Sequence, residues 1–465
     1  MASAGGSWQT QNKVRPGAYI NFSNVETPLI NVGDRGIATV AMEMSWGAEG
    51  ELIDVYSSDL TDGTSRKKIG YTAADKEESL IARAMLSNCY MVKFYNLNSG
   101  GAKATKKDDT SKLTATAKYN GTAGNKITIQ VTKSKINESK YTVTTLWDGL
   151  KVDIQTVTAL EEIADNDYVT FTHEEEGSIA EIAGMPLEGG SDGTYNKSNY
   201  NNYFNLLKTA KWQCMAIIKD GSNINDTAQQ VIKDMRDENG RKVQCCLYDT
   251  TAGKYDYEGI IRSEQALKNV ADSEELTAEQ VPALVCGLTA GAGIAQSNTH
   301  KALTGFYVDT IVPEYTNNEI IEKLGEGAFL FSSRDDGTVQ VEKDINTFRT
   351  FTPTKSYPFS KNRVIRVIDE MNQSIKNVWD VSYCGKVNNS ALGRDTFKGD
   401  VINYIKQLQN MGAVDTVLKD GSVYDLVSNI TVNRGDNIDA VVTNIYNLPV
   451  IDAMEILYCD VVIQS

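Results

Sequence analysis

The chain has 465 residues, a formal net charge of −15, 41% hydrophobic residues and 23% charged residues. This length allows two to four domains of about 150 residues each. The acidic balance argues against a nucleic-acid partner, which calls for a basic surface. No run reaches the roughly 18 apolar residues needed for direct membrane insertion, and residues 1–17 lack the apolar region of a secretory signal. The seven cysteines are scattered and odd in number, and we expect no disulfides; the adjacent Cys245 and Cys246 lie in an apolar run that suits small buried residues.

The region before residue 103 predicts strands separated by one helix. The strands are 16–25 (PGAYINFSNV), 36–46 (GIATVAMEMSW) and 89–97 (CYMVKFYNL). The helix is predicted over 72–88, with Thr72 as its cap and Asp75 three residues later.

Residues 103–186 have a different pattern. Short segments rich in Thr and Lys alternate polar with apolar residues, and turns such as Asn120-Gly121 and Asp148-Gly149 separate them. This pattern predicts a small antiparallel β-sandwich inserted in a larger α/β body.

Nine lysines fall within 101–140 and ten acidic residues within 161–192. These opposed blocks either join identical copies or form two solvated faces.

Residues 187–354 alternate helices with short, continuously apolar strands, which indicates a doubly wound α/β domain. Helices are predicted over 225–240, 277–296 and 317–325. The second helix contains GLTAGAG at 287–293, without the strand-then-helix order of a dinucleotide site. We therefore expect these glycines to serve close helix packing.

Residues 355–465 predict a compact α+β unit with helices over 364–383 and 395–414. One stripe of the second helix carries Phe397, Val401, Ile402, Ile405, Leu408 and Met411. Strands are predicted over 427–435, 440–449 and 453–464. The last of these ends one residue before the end of the sequence. It either pairs within its own domain or adds to another copy.

Candidate catalytic residues are few. The sequence has two histidines, His173 and His300, and no nucleophile-elbow, zinc, EF-hand or phosphate-loop motif. Ser297, three residues before His300, fits a helix end or turn better than a nucleophile. We expect no catalytic residue, cofactor or metal.

Six segments, taken in order, carry a resemblance to a known family. They are RPGAYINF (15–22), LEGGSDG (187–193), WQCMAIIKD (212–220), LTAGAGIAQSNTHKALTG (288–305), GAFLFSSRDDGTVQVEKDINTF (327–348) and PVIDAMEILYCDVVIQ (449–464). Together they resemble the contractile tail sheath proteins of Gram-positive phages and phage-like bacteriocin particles. The resemblance covers most of the chain and is weakest over 103–185.

The resemblance implies a multidomain α/β and α+β fold whose central doubly wound domain has a subtilisin-like fold without protease activity. The implied divisions are an N-terminal arm with a linker strand (1–24), the first part of the α/β body (25–102), the inserted β-sandwich module (103–186), the central α/β domain (187–354), and a C-terminal α+β domain that ends in an arm strand (355–465). The implied function is structural: subunits polymerise around an inner tail tube and contract, which drives the tube through the target envelope.

The resemblance also implies where copies meet. The N-terminal arm strand comprises Ala18, Tyr19, Ile20, Asn21 and Phe22. The C-terminal arm strand comprises Met454, Glu455, Ile456, Leu457, Tyr458, Cys459, Asp460, Val461, Val462 and Ile463. Each would add to the sheet of a neighbouring subunit. The helix after Phe397 offers Lys398, Asp400 and Lys406 as tube-facing charges, or as an ordinary solvated helix face.

Implied partners are neighbouring sheath subunits, the inner tail tube protein, and baseplate and tail terminator proteins. The implied location is the tail of a virion or phage-like particle, assembled in the cytoplasm of the bacterial host. Two alternatives stay open: an α/β hydrolase-like enzyme with a β accessory domain, which would need His173 or His300 beside a nucleophile, and a self-assembling surface protein, which would need export.

Overall fold

The computed structural model describes residues 35–463 except 138, 220, 305 and 307, together with the backbone of 5–6 and 18–19. The chain divides into two compact units. The larger unit comprises Gly33–Gln373 and Val450–Ser465, and the smaller comprises Met1–Val32 and Ser374–Pro449. The closing residues of the sequence therefore group with the larger unit.

The first elements include strands within the predicted ranges 36–46 and 89–97, but the predicted helix is shorter, and a strand and two short helices between 53 and 69 were not predicted. In chain order, these first elements are β1 (Gly5–Gly6), β2 (Ala18–Tyr19), β3 (Ile37–Met42), β4 (Ile53–Tyr56), α1 (Ser57–Asp62), α2 (Ser65–Ile69), α3 (Leu80–Leu86), β5 (Met91–Asn96) and β6 (Asn98–Ser99). The helix predicted over 72–88 begins only at Leu80. Thr72 and Asp75 do bond each other, with the Thr72 N–H donating to Asp75 Oδ2 at 2.8 Å, but they close a turn ahead of the helix.

The inserted module is an antiparallel β-sandwich, as the alternation predicts. Its strands are β7 (Lys103–Lys107), β8 (Leu113–Asn120), β9 (Ile127–Lys133), β10 (Tyr141–Trp147), β11 (Leu150–Val157), β12 (Val169–His173) and β13 (Ile182–Pro186). One sheet has the order β11-β10-β9-β13 and the other β12-β8-β7. Lys106 pairs with Glu188, and Lys107 with Glu174, so members of the opposed charge blocks meet within one copy.

Trp46, a fully buried residue outside the β-sandwich module, packs against the core of the module. The Trp46 ring meets Trp147 and Tyr119 edge to face, at centroid distances of 5.0 and 5.2 Å. Its indole N–H donates to the carbonyl of Lys67 at 3.1 Å. Aromatic pairs of this geometry contribute beyond the area that they bury.

The central part of the chain follows the predicted alternation of helices and strands. Its elements are β14 (Thr194–Tyr195), α4 (Asn199–Leu207), β15 (Cys214–Ile217), α5 (Gly221–Lys233), β16 (Gln244–Tyr248), β17 (Ile260–Ser263), β18 (Ala266–Asn269), β19 (Glu274–Leu276), α6 (Val281–Gly291), β20 (Thr310–Val312), α7 (Asn317–Gly325), β21 (Phe331–Ser333) and β22 (Val339–Val341).

The core of the larger unit is a doubly wound sheet with the order β17-β16-β15-β3-β5-β4. Its strands are parallel except β4, which pairs antiparallel with β5. Alternate side chains of β15 serve opposite faces: Cys214 and Ala216 pack in a cluster with α3 and α6, while Met215 and Ile217 pack with α4 and α5. Burial on both faces explains why these strands read as continuous apolar runs.

The Gly-rich stretch packs two helices closely, as expected from its place within a helix. A Cβ atom on Gly287 would lie 2.5 Å from the carbonyl oxygen of Met85. A Cβ atom on Gly291 would lie 1.7 Å from the carbonyl oxygen of Asn88. Helix α6 therefore meets the end of α3 at a distance that only glycine permits.

The C-terminal elements are α8 (Asn362–Val378), α9 (Ala391–Asn410), α10 (Leu426–Asn429), β23 (Ile430–Arg434) and β24 (Val441–Ile445). The boundary between the two units falls within α8. Phe397, Val401, Ile405 and Leu408 of the predicted stripe are buried. Met411 was wrongly included: the helix ends before it, and its side chain is 47% exposed.

The strand predicted over 453–464 does not form in the described chain. Residues 451–463 belong to no helix or strand. The apolar, β-branched sequence that predicts a strand has no partner strand here, and a strand exists only when its backbone groups are paired.

Candidate assembly surfaces

The smaller unit presents an open two-stranded sheet. Strands β23 and β24 pair antiparallel, with Ile430 opposite Ile445 and Arg434 opposite Val441. No third strand joins this sheet in the described part of the chain. Ile430 is fully buried, whereas Val442 is 46% exposed. The edges of a sheet without further strands are templates for another strand.

A cavity of about 270 Å³ lies beside this hairpin, within the smaller unit. Its lining includes Trp379, Tyr383, Phe397, Arg394 and Val441, the first residue of β24. The Tyr383 and Phe397 rings meet edge to face at 4.8 Å. A partly aromatic cavity at the end of an open strand can receive a side chain of an added strand.

Exposed apolar side chains are concentrated towards the end of the sequence. In the smaller unit they are Val381, Val387, Leu392, Met411, Val417, Val423, Val427, Ile438, Val442 and Tyr446. Clusters of exposed apolar groups on a soluble protein mark interaction surfaces.

The last residues of the chain are the most exposed apolar segment. Leu457 and Tyr458 are 88% and 90% exposed, and Val462 and Ile463 are both 86% exposed. Main-chain hydrogen bonds of residues 456–463 to other described residues are absent. This strand-forming sequence joins no sheet in the part of the chain that the structure describes.

The residues just before that segment are held to the body of the larger unit. Glu455 pairs with Lys361, and the Thr299 hydroxyl donates to Glu455 Oε1 at 2.8 Å. Asp452 lies 3.6 Å from Lys361, and Lys343 lies 4.0 Å from Glu455. Glu455, predicted as part of the exchanging strand, therefore faces its own chain.

The N-terminal arm residues are described only in part. The backbone of Ala18–Tyr19 forms a two-residue strand parallel to Gly5–Gly6. Ile20, Asn21 and Phe22 lie outside the described residues.

The candidate tube-facing charges differ in their surroundings. Lys398 donates to the carbonyl of Val427 at 2.8 Å, and Asp400 accepts a hydrogen bond from the Tyr383 hydroxyl. Lys406 is exposed. The structure brings Lys398 and Asp400 into contacts of their own unit, and it leaves Lys406 at the surface.

The residues that a hydrolase would need are not assembled. Exposed His173 has its Nδ1 3.3 Å from the carbonyl of Glu174. Neither imidazole meets a hydroxyl or thiol within the described ranges, and Ser297 accepts from the Thr299 N–H at 3.1 Å, as a turn residue does. The described residues include no cluster that could hold a metal ion and no helix long and apolar enough to cross a membrane.

Lys361 and Thr299 are functional candidates that the sequence did not reveal. Lys361 precedes a helix and Thr299 lies in a polar loop, so neither position carries a motif. The available signal was the presence of Asp452, Glu455 and Asp460 in an otherwise apolar segment, because a buried charge needs a partner; only the first two have one among the described residues.

Comparison with known proteins places all three regions in one family. Residues 99–192 match the phage tail sheath protein β-sandwich domain, 193–347 its central domain, and 354–464 the phage tail sheath C-terminal domain. The phage-like element PBSX protein XkdK of Bacillus subtilis is 30% identical over 98% of this chain and 99% of its own length.

Solved structures give the same result. The crystal structure of a sheath tail protein from Desulfitobacterium hafniense is 34% identical, covers 93% of this chain and 96% of that chain, and has a TM-score of 0.77. The anti-feeding prophage helical sheath in its contracted state is 12% identical and covers 97% of this chain and 99% of that one. Its TM-score of 0.54 shows a shared fold.

These matches define a structural protein that self-assembles into a tail sheath. The chain belongs to the phage tail sheath protein family, and it is a structural subunit of a contractile tail sheath. It is thus a component of phage tails or of related contractile particles.

Proposed function

We propose that copies of this subunit are linked by exchange of their terminal strands. The C-terminal arm, within residues 454–463, leaves one copy and adds to the open β23–β24 hairpin of a neighbour. Two observations on the described residues carry this proposal: an exposed apolar segment with a strand-forming sequence joins no sheet, and the two-stranded sheet has no third strand on either edge. Main-chain bonds supply affinity in such strand addition, and side-chain pockets supply specificity.

The N-terminal arm, with Ala18 to Phe22, makes a second link of the same kind in this proposal. Two arms per subunit join each copy to two neighbours. A flexible tether lets body-to-body contacts be remade while the neighbours stay attached. Contraction then takes the sheath from a metastable extended state to a contracted state of lower free energy, and no nucleotide is consumed during contraction.

The sheath encloses an inner tail tube in this account, and contraction drives that tube through the target envelope. Baseplate and tail terminator proteins close the two ends of the assembly, which forms in the bacterial host cytoplasm. Lys406 supports a light, releasable contact with the tube because it is exposed, and exposed charges contribute little binding energy each. The subunit has no catalytic role in this function.

Truncation tests the proposal. Purified full-length chain and a chain ending at Glu455 are compared by negative-stain electron microscopy at equal concentration. The shorter chain keeps the ion pairs of Glu455 and loses only the free strand. A control chain replaces 456–465 with a Gly/Ser segment of equal length. We expect hollow tubes from the full-length chain alone; tubes from all three, or soluble monomers from all three, would overturn strand exchange.

A further inference from the structure

The root of the C-terminal arm is fixed by charge to the body of the larger unit. Lys361 has only 4% of its side chain exposed. Its two acidic partners in the described chain are both in the terminal segment: Glu455 and Asp452. An ammonium group taken out of water needs an anionic partner. Lifting the terminal segment would leave this buried cation without a carboxylate.

The Thr299 part of this contact is built into the body of the larger unit. The Thr299 hydroxyl, which donates to Glu455, also accepts from the Asp344 N–H at 3.0 Å. Asp344 is itself paired with the buried Arg366 at 2.7 Å. Burial opposes ionisation of Asp344, but the Arg366 charge and several hydrogen bonds hold the pKa of this carboxyl below its ordinary value. Thr299, one of the donors that hold Glu455, is therefore positioned by groups outside the arm.

The contact divides the terminal segment into two parts. Glu455 has 13% of its side chain exposed, whereas Ile456 is 69% and Leu457 is 88% exposed. No acid of the segment beyond Glu455 contacts a basic side chain in the described chain. The part of the segment that is bound to the body by side-chain contacts therefore ends at residue 455, and the exposed part begins at residue 456.

We infer that Glu455 is a positioning residue, the fixed point from which the exchanged strand leaves the body. The inference rests on the proposed strand exchange and narrows it: the donated strand begins at Ile456. The eight residues 456–463 span at most about 26–29 Å when extended. A neighbour's hairpin must stay within that reach of Glu455 in every state of the sheath. Holding the root lowers the conformational entropy lost when the strand docks.

Proteolysis of the free subunit tests the fixed point without assembly. A glutamate-specific endoprotease cleaves after Glu455 only when that side chain leaves its partners. Wild-type chain should resist loss of residues 456–465, and Lys361→Met should lose them at least roughly tenfold faster, as an ordered segment that becomes free does. Lys135→Met, at an exposed lysine of the β module, is the matched control. Equal cleavage rates in all three chains would overturn the fixed point.

Assembly provides the second measurement. Glu455→Gln keeps the shape of the side chain and removes its charge, and Glu322→Gln makes the same change at an exposed position of α7. We expect Glu455→Gln alone to raise the critical concentration for tubes roughly tenfold, while the free subunit stays folded. If Glu455→Gln assembles normally while the chain ending at Glu455 forms no tubes, the fixed point is refuted and strand exchange is left intact. Tubes from the truncated chain would refute strand exchange, while proteolysis would still decide the role of Glu455.

Discussion

Asparagine substitutions at Ile456 and Leu457 test whether the terminal strand buries its side chains in a neighbour. These residues are 69% and 88% exposed in the single chain, so neither change should alter the stability of the free subunit by more than about 0.5 kcal/mol. Adjacent residues of a strand point to opposite faces. At least one of the two must therefore contact the apolar surface of the acceptor.

Burying a Leu or Ile side chain contributes about 1.5–3 kcal/mol. Because 1.4 kcal/mol is a factor of ten in an equilibrium constant, the loss should raise the critical concentration about 10- to 150-fold. The assay is sedimentation of tubes over a concentration series. Ile136→Asn is the matched control, since Ile136 is 99% exposed but lies in a loop of the β module. The reasoning is refuted if neither arm variant differs from Ile136→Asn.

Two further predictions concern the stability of the free subunit, measured by chemical denaturation. Asp369 pairs with Arg236 through two bonds of 2.6 and 2.8 Å, and both side chains are at most 8% exposed. Asp369→Ala should lower the free energy of unfolding by about 3–5 kcal/mol because it leaves a buried charge unpaired. Asp272→Ala, in a surface ion pair, should lower it by less than about 1 kcal/mol. Equal losses would contradict the importance of the buried pair. Gly291→Ala should cost about 1–3 kcal/mol by forcing α6 away from Asn88, and a neutral result would contradict the close packing.

The regular elements of the fold could be predicted where the pattern is local. Strand alternation predicted the β-sandwich module, and continuous apolar strands between helices predicted the doubly wound sheet. Gly287 and Gly291 were interpreted correctly because they lie within helix α6, not in a turn between a strand and the first residues of a helix. The start of α3 was misplaced because Thr72 and Asp75 form the same hydrogen bonds in a turn as in a helix cap.

The assembly surfaces were only partly predictable because they depend on contacts distant in sequence. The composition of residues 453–464 predicts a strand, but composition does not say which chain supplies its partner. The contact of Glu455 with Lys361 and Thr299 joins positions 94 and 156 residues apart. No local pattern in a single sequence encodes such pairings.

Cross-linking between copies tests strand exchange most directly. Cys459 lies in the arm, and Cys384 is the other exposed cysteine among the seven. A donor chain with Cys384→Ser is mixed with acceptor chains that lack both cysteines and carry Asn433→Cys or Val442→Cys, opposite each other in the hairpin. After assembly and treatment with a short bifunctional maleimide, the account predicts covalent dimers of donor with acceptor. The contradicting result has two parts. The mixture gives no donor–acceptor dimers, and a chain that carries both Cys459 and the hairpin cysteine cross-links only within itself.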